Sequence, residues 1–364
     1  MKIKPTYESI YDLLKEDIAS GRYSEGALMP TESVLSEKFG VSRPTIAKAY
    51  NKLQKEGLIT KKKGMGTVVN PVPERKRRPK FGLLLPGAGE SEIFSIINDR
   101  LLRLSEKGDF DCLWEGATAS DAGIRSELIE NCCNNYIGQG VDGIFFAPLE
   151  RVNGADDLNK EICRKIDSAG IPMVLIDRDI CAMPSRSRHD LVSLDNFNAG
   201  YVMACHMVDN GCSDIHFVYR PDSASSVNMR LAGIREYLFS RNMDLPEKNI
   251  HCENLESDGI VASIEITPGK TGIICANDST AAVLMSTLEE AGLRVSEDLL
   301  ICGFDDMKYS SHLRHPLTSF RQPCEEIADT SIELMFRRLS SPDACQLTVA
   351  LTGTLVKRES TTFK

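Results

Sequence analysis

The residues whose types and spacing could do chemistry are gathered between Thr31 and Thr67, and that chemistry is nucleic-acid recognition. In Ser42-Arg43-Pro44-Thr45-Ile46-Ala47-Lys48-Ala49-Tyr50-Asn51-Lys52-Leu53, the apolar Ile46, Tyr50 and Leu53 recur at helical spacing and face inward. Arg43, Thr45, Ala47, Lys48 and Asn51 are left for the outer face. An arginine there can grip a guanine edge with two donors, or a phosphate, and the sequence leaves both open. Downstream, Lys61-Lys62-Lys63 runs into Gly64-Met65-Gly66, a basic flank beside an open turn that suits backbone or minor-groove contacts.

Three elements must position these groups. Thr31 stands where an N-cap belongs, and Val34, Leu35 and Phe39 follow as an apolar stripe. Gly40 ends that helix. Ser42 caps the next, with Pro44 in its first turn, where a missing N–H costs nothing. The runs Leu58-Ile59-Thr60 and Thr67-Val68-Val69 around the glycine turn make a hairpin. An amphipathic helix over 6–20, with Tyr7, Ile10, Leu14 and Ile18 on one side, packs against the pair. The second helix of such a unit is the one that enters the major groove.

This stretch resembles the winged-helix domain of the GntR family of bacterial transcription regulators. The resemblance covers roughly residues 6–70 and rests on Pro30-Thr31-Glu32, Leu35, Gly40-Val41-Ser42-Arg43, Thr45-Ile46, Leu53, Glu56-Gly57-Leu58-Ile59, Gly64, Gly66 and Thr67. It implies DNA contacts from Thr31, Ser42, Arg43, Thr45, Lys48, Lys63, Gly64, Gly66 and Thr67. The family often has Arg where this chain has Ser33, and usually Arg where it has Ala47; Lys48 replaces part of that charge.

The whole chain fits this reading. Its 364 residues are enough for two or three domains. Charge is split: residues 1–80 hold 17 Lys and Arg against 9 Asp and Glu, while the remainder is net −17. A basic head on an acidic body fits a DNA-binding domain fused to something else. The N-terminus is not a signal peptide, and no run approaches a membrane span, which points to the cytoplasm. Most of the twelve cysteines, such as Cys112, Cys275 and Cys302, sit in apolar runs as small hydrophobes, without metal or redox spacing. Residues 71–80, with Pro71, Pro73 and Pro79 among basic side chains, read as a stiff linker with a modest electrostatic role. The expected division is therefore head 1–70, linker 71–80 and body 81–364.

In the body, strand candidates over 81–85, 110–114, 143–147, 173–176, 191–194, 215–219, 272–276 and 299–302 alternate with helix candidates over 91–107, 122–139, 156–169, 197–210, 227–240 and 279–291. That alternation predicts an α/β class with parallel sheets, in two lobes, binding ligand beyond the carboxyl ends of the strands. Asp177 and Asp305 close apolar strands; singly, each has a plain explanation as a cap for the following helix. Arg230 could be a salt bridge and Asn277 a turn residue.

The body resembles the effector domain of LacI-type regulators, which is shaped like the periplasmic sugar-binding proteins. The landmarks are Phe81 to Pro86, Val141-Asp142-Gly143-Ile144, Ile171 to Arg178, Asp195-Asn196 with Gly200, Arg230-Leu231-Ala232-Gly233, Ala276-Asn277-Asp278, Gly303-Phe304-Asp305-Asp306, Pro316 to Pro323 and Leu355 to Arg358. The resemblance implies a two-lobed, periplasmic-binding-protein-like domain whose effector meets Asp177, Arg230, Asn277 and Asp305, with Phe94 offering an apolar face. Such groups suit sugar hydroxyls, which need paired donors and acceptors.

The expected protein is a homodimeric, winged helix-turn-helix repressor of double-stranded operator DNA, released by a small carbohydrate effector. The alternatives are a purine-type corepressor mechanism or an activator. No enzyme signature is present: Gly87-Ala88-Gly89 lacks the dinucleotide fingerprint, and there is no P-loop, HExxH or GxSxG. Neither cofactor nor metal is expected.

Overall fold

The computed structural model describes residues 5–19, 21–24, 26–62, 64–70, 77–86, 92–115, 122–253 and 259–363. The chain forms two compact units, Met1–Arg78 and Pro79–Lys364.

The first unit contains α1 (Tyr7–Ala19), α2 (Glu32–Phe39), α3 (Arg43–Lys55), β1 (Ile59–Lys62) and β2 (Gly66–Val69). The two strands pair antiparallel from Ile59 opposite Val69 to Lys62 opposite Gly66. Ile10, Tyr11, Leu14, Leu35, Ile46, Tyr50 and Leu53 make one core. Gly40 takes the left-handed conformation and its N–H closes α2 on Ser36 and Glu37. Two expected core residues lie outside: Val34 is 52% exposed and Tyr7 36%. Val34 is one residue, or about 100°, off the Leu35 stripe. Tyr11 fills the place expected for Tyr7, and its hydroxyl donates to Glu56 Oε1 at 2.5 Å.

The second unit has two lobes. The first carries β3 (Lys80–Leu84), α4 (Glu92–Lys107), β4 (Asp111–Leu113), α5 (Ala122–Gln139), β5 (Gly143–Phe146), α6 (Ala155–Ser168), β6 (Met173–Ile176) and β7 (Asp190–Leu194). The second carries α7 (Asn196–Asp209), β8 (Asp214–Tyr219), α8 (Ser225–Ser240), β9 (Ile250–Cys252), α9 (Gly259–Ser263), β10 (Thr271–Cys275), α10 (Asp278–Glu290), β11 (Leu299–Phe304) and β12 (Thr318–Arg321). The chain then returns to the first lobe for α11 (Cys324–Ser340) and β13 (Thr348–Leu351), and crosses again for β14 (Thr354–Val356). The sheet orders are β13-β7-β6-β5-β3-β4 and β14-β12-β11-β10-β8-β9. Every pairing in these sheets is parallel except β12 with β14. Each sheet is buried on both faces.

Helices and strands alternate along the body as the sequence suggests, but β9, α9, β12, α11, β13 and β14 are additions to the expected elements. Helix α11 is fixed to α4 by a two-pronged ion pair of Arg100 with Asp329, both contacts 2.7 Å. It is fixed to β7 by Arg338 on the buried Asp190. All twelve cysteines are free thiols. No described helix is long and apolar enough to cross a membrane.

Two glycines set the position of α8. A Cβ on Gly200 would meet Arg230 O at 2.0 Å, and one on Gly233 would meet Phe197 O at 1.9 Å. Helices α7 and α8 thus cross backbone to backbone. Alanine in a helix gains about 1 kcal/mol over glycine in propensity, but here it must push two helices apart. Gly200→Ala and Gly233→Ala are each expected to lower stability by about 1–3 kcal/mol net, read by denaturant unfolding of the full chain; a stabilised variant would contradict the close packing.

Candidate nucleic-acid interface and effector cleft

In the first unit, Thr31 caps α2, its hydroxyl accepting from Val34 N at 3.4 Å. Ser42 occupies the N-cap position of α3 but makes no side-chain bond to that helix's backbone. Its hydroxyl instead shares a hydrogen bond with Thr45 Oγ1 at 2.9 Å, a correction to the expected cap. Arg43, Lys48 and Asn51 are exposed and Thr45 is half-buried. Lys48 Nζ lies 6.0 Å from the Tyr7 ring. Arg43 makes no ion pair among the described residues, so its guanidinium is available.

The wing is turned by Gly64 and Gly66, at φ +83° and +107°. Both conformations lie where side-chain-bearing residues are strained. Thr67 in β2 accepts from Met29 N at 2.8 Å, bringing the segment before α2 against the wing. Lys61 pairs with Glu32 at 2.9 Å. Lys63, also expected at the DNA, lies outside the described residues.

In the second unit, the expected effector residues follow parallel strands. Asp177 follows β6, Asn277 follows β10 and Asp305 follows β11. Asp177 (φ 72°) and Asp305 (φ 102°) adopt positive φ without being glycine, a strain that clusters at functional sites. Asp177 is buried and the Asp305 side chain is only 12% exposed. Burial raises the Asp177 carboxyl, against the pull of Arg178. Burial also raises Asp305, opposed by Arg230 and by the Gln322 amide, which donates to it at 2.8 Å.

Arg230 is held almost entirely by its own lobe. Its Nε donates to Asn196 Oδ1 at 2.8 Å and one terminal nitrogen to Ala276 O at 2.5 Å. The other faces Asp305 at 3.8 Å, and the guanidinium lies 4.5 Å from the Phe304 ring. Asn277 spends its oxygen capping α10 through Thr280 N at 2.8 Å. Phe94 is buried on α4 with the Arg178 guanidinium 5.8 Å from its ring.

Arg178 and Glu150 join the site without a signal in the sequence reading, although Arg178 stands next to Asp177 in a landmark segment. Arg178 pairs with Glu150 at 2.8 Å and with Asp177 at 3.4 Å. Burial would raise Glu150, but Arg178 and the Ala224 N–H outweigh it and hold its carboxyl below the usual range. Glu150 belongs to the first lobe and Ala224 to the second, so this 3.1 Å bond crosses the cleft. Arg151 N donates across to Asp222 O at 2.9 Å, and Lys308 N donates to Glu92 Oε2 at 2.7 Å.

Two neighbouring cavities open between the lobes. One, of about 180 Å³, is lined by Asp177, Arg178, Asn196 and Met229. The other, of about 580 Å³, is lined by Glu150, Arg178, Asp222 and Asn228. Phe94, Arg230, Asn277 and Asp305 line neither. Asp305 instead borders a third space, of about 470 Å³, beside the chain crossings at Gln322 and Gly353.

A winged helix-turn-helix unit and a two-lobed, parallel-sheet unit with a polar interlobe cleft define the architecture of a DNA-binding protein with a second, two-lobed domain. Residues 6–69 match bacterial regulatory proteins of the gntR family, and residues 204–361 match the periplasmic binding protein-like domain. The chain is thus a gntR-type DNA-binding domain fused to a periplasmic-binding-protein-like domain. It is similar to the arabinose metabolism transcriptional repressor of Geobacillus stearothermophilus, 24% identical over 93% of this chain and 92% of that protein. It shares its fold with a complex of the transcriptional regulator CelR with cellobiose: TM-score 0.63, 21% identity, 91% of this chain and 100% of that one. The lac repressor dimer bound to operator gives TM-score 0.63 at 21% identity, over 79% and 96% of the two chains.

Two outcomes are expected. Arg43→Ala should weaken operator binding by about 1–3 kcal/mol and relax base preference at one position, measured across operator variants. A loss equal on all sequences would assign Arg43 to phosphate instead. The second concerns Asp278, a fully buried carboxyl. It accepts from Ser310 and Ser319 hydroxyls at 2.6 Å each and from Met307 N at 2.9 Å. Burial, then Asp305, still raise it from 3.8 to about 7. The folded state therefore holds this proton more tightly than the unfolded one. The stability so contributed is present below about pH 4 and lost as pH rises towards about 7. In a pH series of thermal melts, wild type should lose ground relative to Asp278→Asn over that window; the opposite trend would reject the assignment.

Proposed function

We propose that the protein is a sequence-specific transcription repressor that binds a pseudo-palindromic operator as a homodimer and is released by a small sugar or sugar-like effector held between the lobes. It acts in the cytoplasm and has no catalytic role in this reading. The observation that carries it is the cavity between the lobes, lined by Asp177 and Arg178 of the first and by Asn196 and Met229 of the second, in a chain with a winged helix-turn-helix. The Geobacillus relative is named for arabinose metabolism, and CelR is bound to cellobiose. Both support a carbohydrate effector. The DNA contacts assigned to the head are Thr31, Ser42, Arg43, Thr45, Lys48, Lys63, Gly64, Gly66 and Thr67; the effector contacts are Phe94, Asp177, Arg230, Asn277 and Asp305.

A ligand gripped by both lobes favours the arrangement that brings them together, and it shifts the equilibrium only by its differential affinity for the two states. The expected coupling is about 1–3 kcal/mol, or roughly 5–150-fold in operator affinity. Operator affinity is to be measured with and without arabinose or cellobiose, for wild type, Arg230→Ala and Asp305→Ala, with melting temperatures to confirm folding. The folded variants should keep ligand-free operator binding and lose the response. Tightening of wild-type binding by ligand would make the protein corepressor-dependent, and a full response in both variants would reject the cleft assignment.

A further inference from the structure

We infer that the two lobes carry their own catch, which holds them together without an effector. The catch is the backbone bond from Arg151 N to Asp222 O, and the left-handed strain of both residues sets how firmly it holds. It rests on the cleft reading only in that an effector would act on the balance the catch sets.

Chain connectivity does not impose this contact. The chain passes between the lobes at 194–196, 321–324 and 351–354. Arg151 lies instead in the loop between β5 and α6, and Asp222 in the loop between β8 and α8. Arg151 N donates to Asp222 O at 2.9 Å. Beside it, Ala224 N donates in the opposite direction to Glu150 Oε2 at 3.1 Å, between residues 74 apart in the chain. Two short loops thus hook one another through two opposed bonds. A second meeting of the lobes, Lys308 N on Glu92 Oε2 at 2.7 Å, joins the segment after β11 to the start of α4.

The catch is under load. Arg151 and Asp222 both stand at φ +55°. A side chain in that conformation crowds the following carbonyl oxygen, at a cost equivalent to roughly a 5–30-fold change in an equilibrium. Aspartate tolerates the conformation better than arginine, so Arg151 carries the larger share. Both residues are exposed, and the bond between them uses backbone atoms alone. A substitution at either position therefore changes the strain and leaves donor and acceptor in place. Opening breaks the bond and lets both backbones leave the left-handed region. Polar bonds hold the closed form and strain loosens it, which keeps the balance where a ligand can move it.

The test uses the full chain without DNA and, at first, without any sugar. Amide hydrogen exchange is read at Ala224 and Lys308, whose N–H groups find their acceptors on the other lobe. Arg151→Gly and Asp222→Gly remove strain and should each raise the protection of both amides, roughly 5–30-fold. Arg151→Asn should fall between glycine and wild type, Arg151→Lys should match wild type, and Arg151→Val should lose protection. Lys308 is the deciding position, because it lies at the other meeting of the lobes and reports their closure rather than the substituted loop. Melting temperatures confirm that each variant is folded. Protection at Lys308 that ignores the series, or runs in the reverse order, would overturn the inference whether or not a sugar binds. Arabinose or cellobiose is then added. If exchange follows the series and neither sugar changes it, the carbohydrate reading fails and the catch stands.

Discussion

Asp177 and Asp305 end strands in different lobes, little of either side chain is exposed, and Asp177 adds to the cost of ionising Asp305. Carboxylates so placed are tolerable only with cations close by, and several side chains of the second unit serve that constraint. Arg178 is fastened by Glu150, and Arg230 by Asn196 and the carbonyl of Ala276. Arg230 can reach Asp305 because α8 lies directly against α7, where neither Gly200 nor Gly233 presents a side chain. The loop after β11 is held by Asp278, whose three donors come from Met307, Ser310 and Ser319. Gly303 is required beneath it, since a Cβ there would meet Asp278 Oδ1 at 2.4 Å.

The same groups connect the lobes. Glu150 stabilises Arg178 and also accepts from Ala224 N at the start of α8, a helix without a side-chain cap of its own. A carboxylate at that position satisfies an orphan N–H and meets the positive end of the helix. Charge compensation inside the first lobe and closure onto the second are therefore coupled through one side chain. Glu92, accepting from Lys308 N, is a second carboxylate of the first lobe that receives a backbone donor of the other. These polar bonds between the lobes are individually modest, which suits an equilibrium that a ligand can bias.

The DNA-binding unit is built on separate principles. Its core is closed among its own three helices and wing. On the outer face of α3, Arg43 makes no ion pair among the described residues, and the wing tip is shaped by two left-handed glycines. Its positive charge contrasts with the acidic remainder of the chain, which directs DNA to this unit and repels it elsewhere.

Patterns local in sequence are legible without coordinates. Helix α3 follows from the spacing of Ile46, Tyr50 and Leu53, and the wing from two β-rich runs about Gly64 and Gly66. The alternation of strand and helix in the body is equally readable, because each element there is a continuous apolar run or stripe. The positions of Asp177, Asn277 and Asp305 at strand ends come from the same runs. Tertiary structure alone decided the rest. The return of α11 and β13 to the first lobe is fixed by Arg100 with Asp329 and Arg338 with Asp190, pairs separated by 229 and 148 residues. No local pattern encodes such a partner. Val34 and Tyr7 have core-forming types, yet in each case another side chain of the same helix faces inward instead. Ser42 has the right type for a cap but bonds to Thr45. Glu150 and Arg178 read as ordinary charged residues until β5 and β6 align side by side in a parallel sheet. Only that pairing carries both side chains to one edge and sets them against a helix from the other lobe, because the energy of a buried charge depends on which opposite charges the fold brings within a few ångströms.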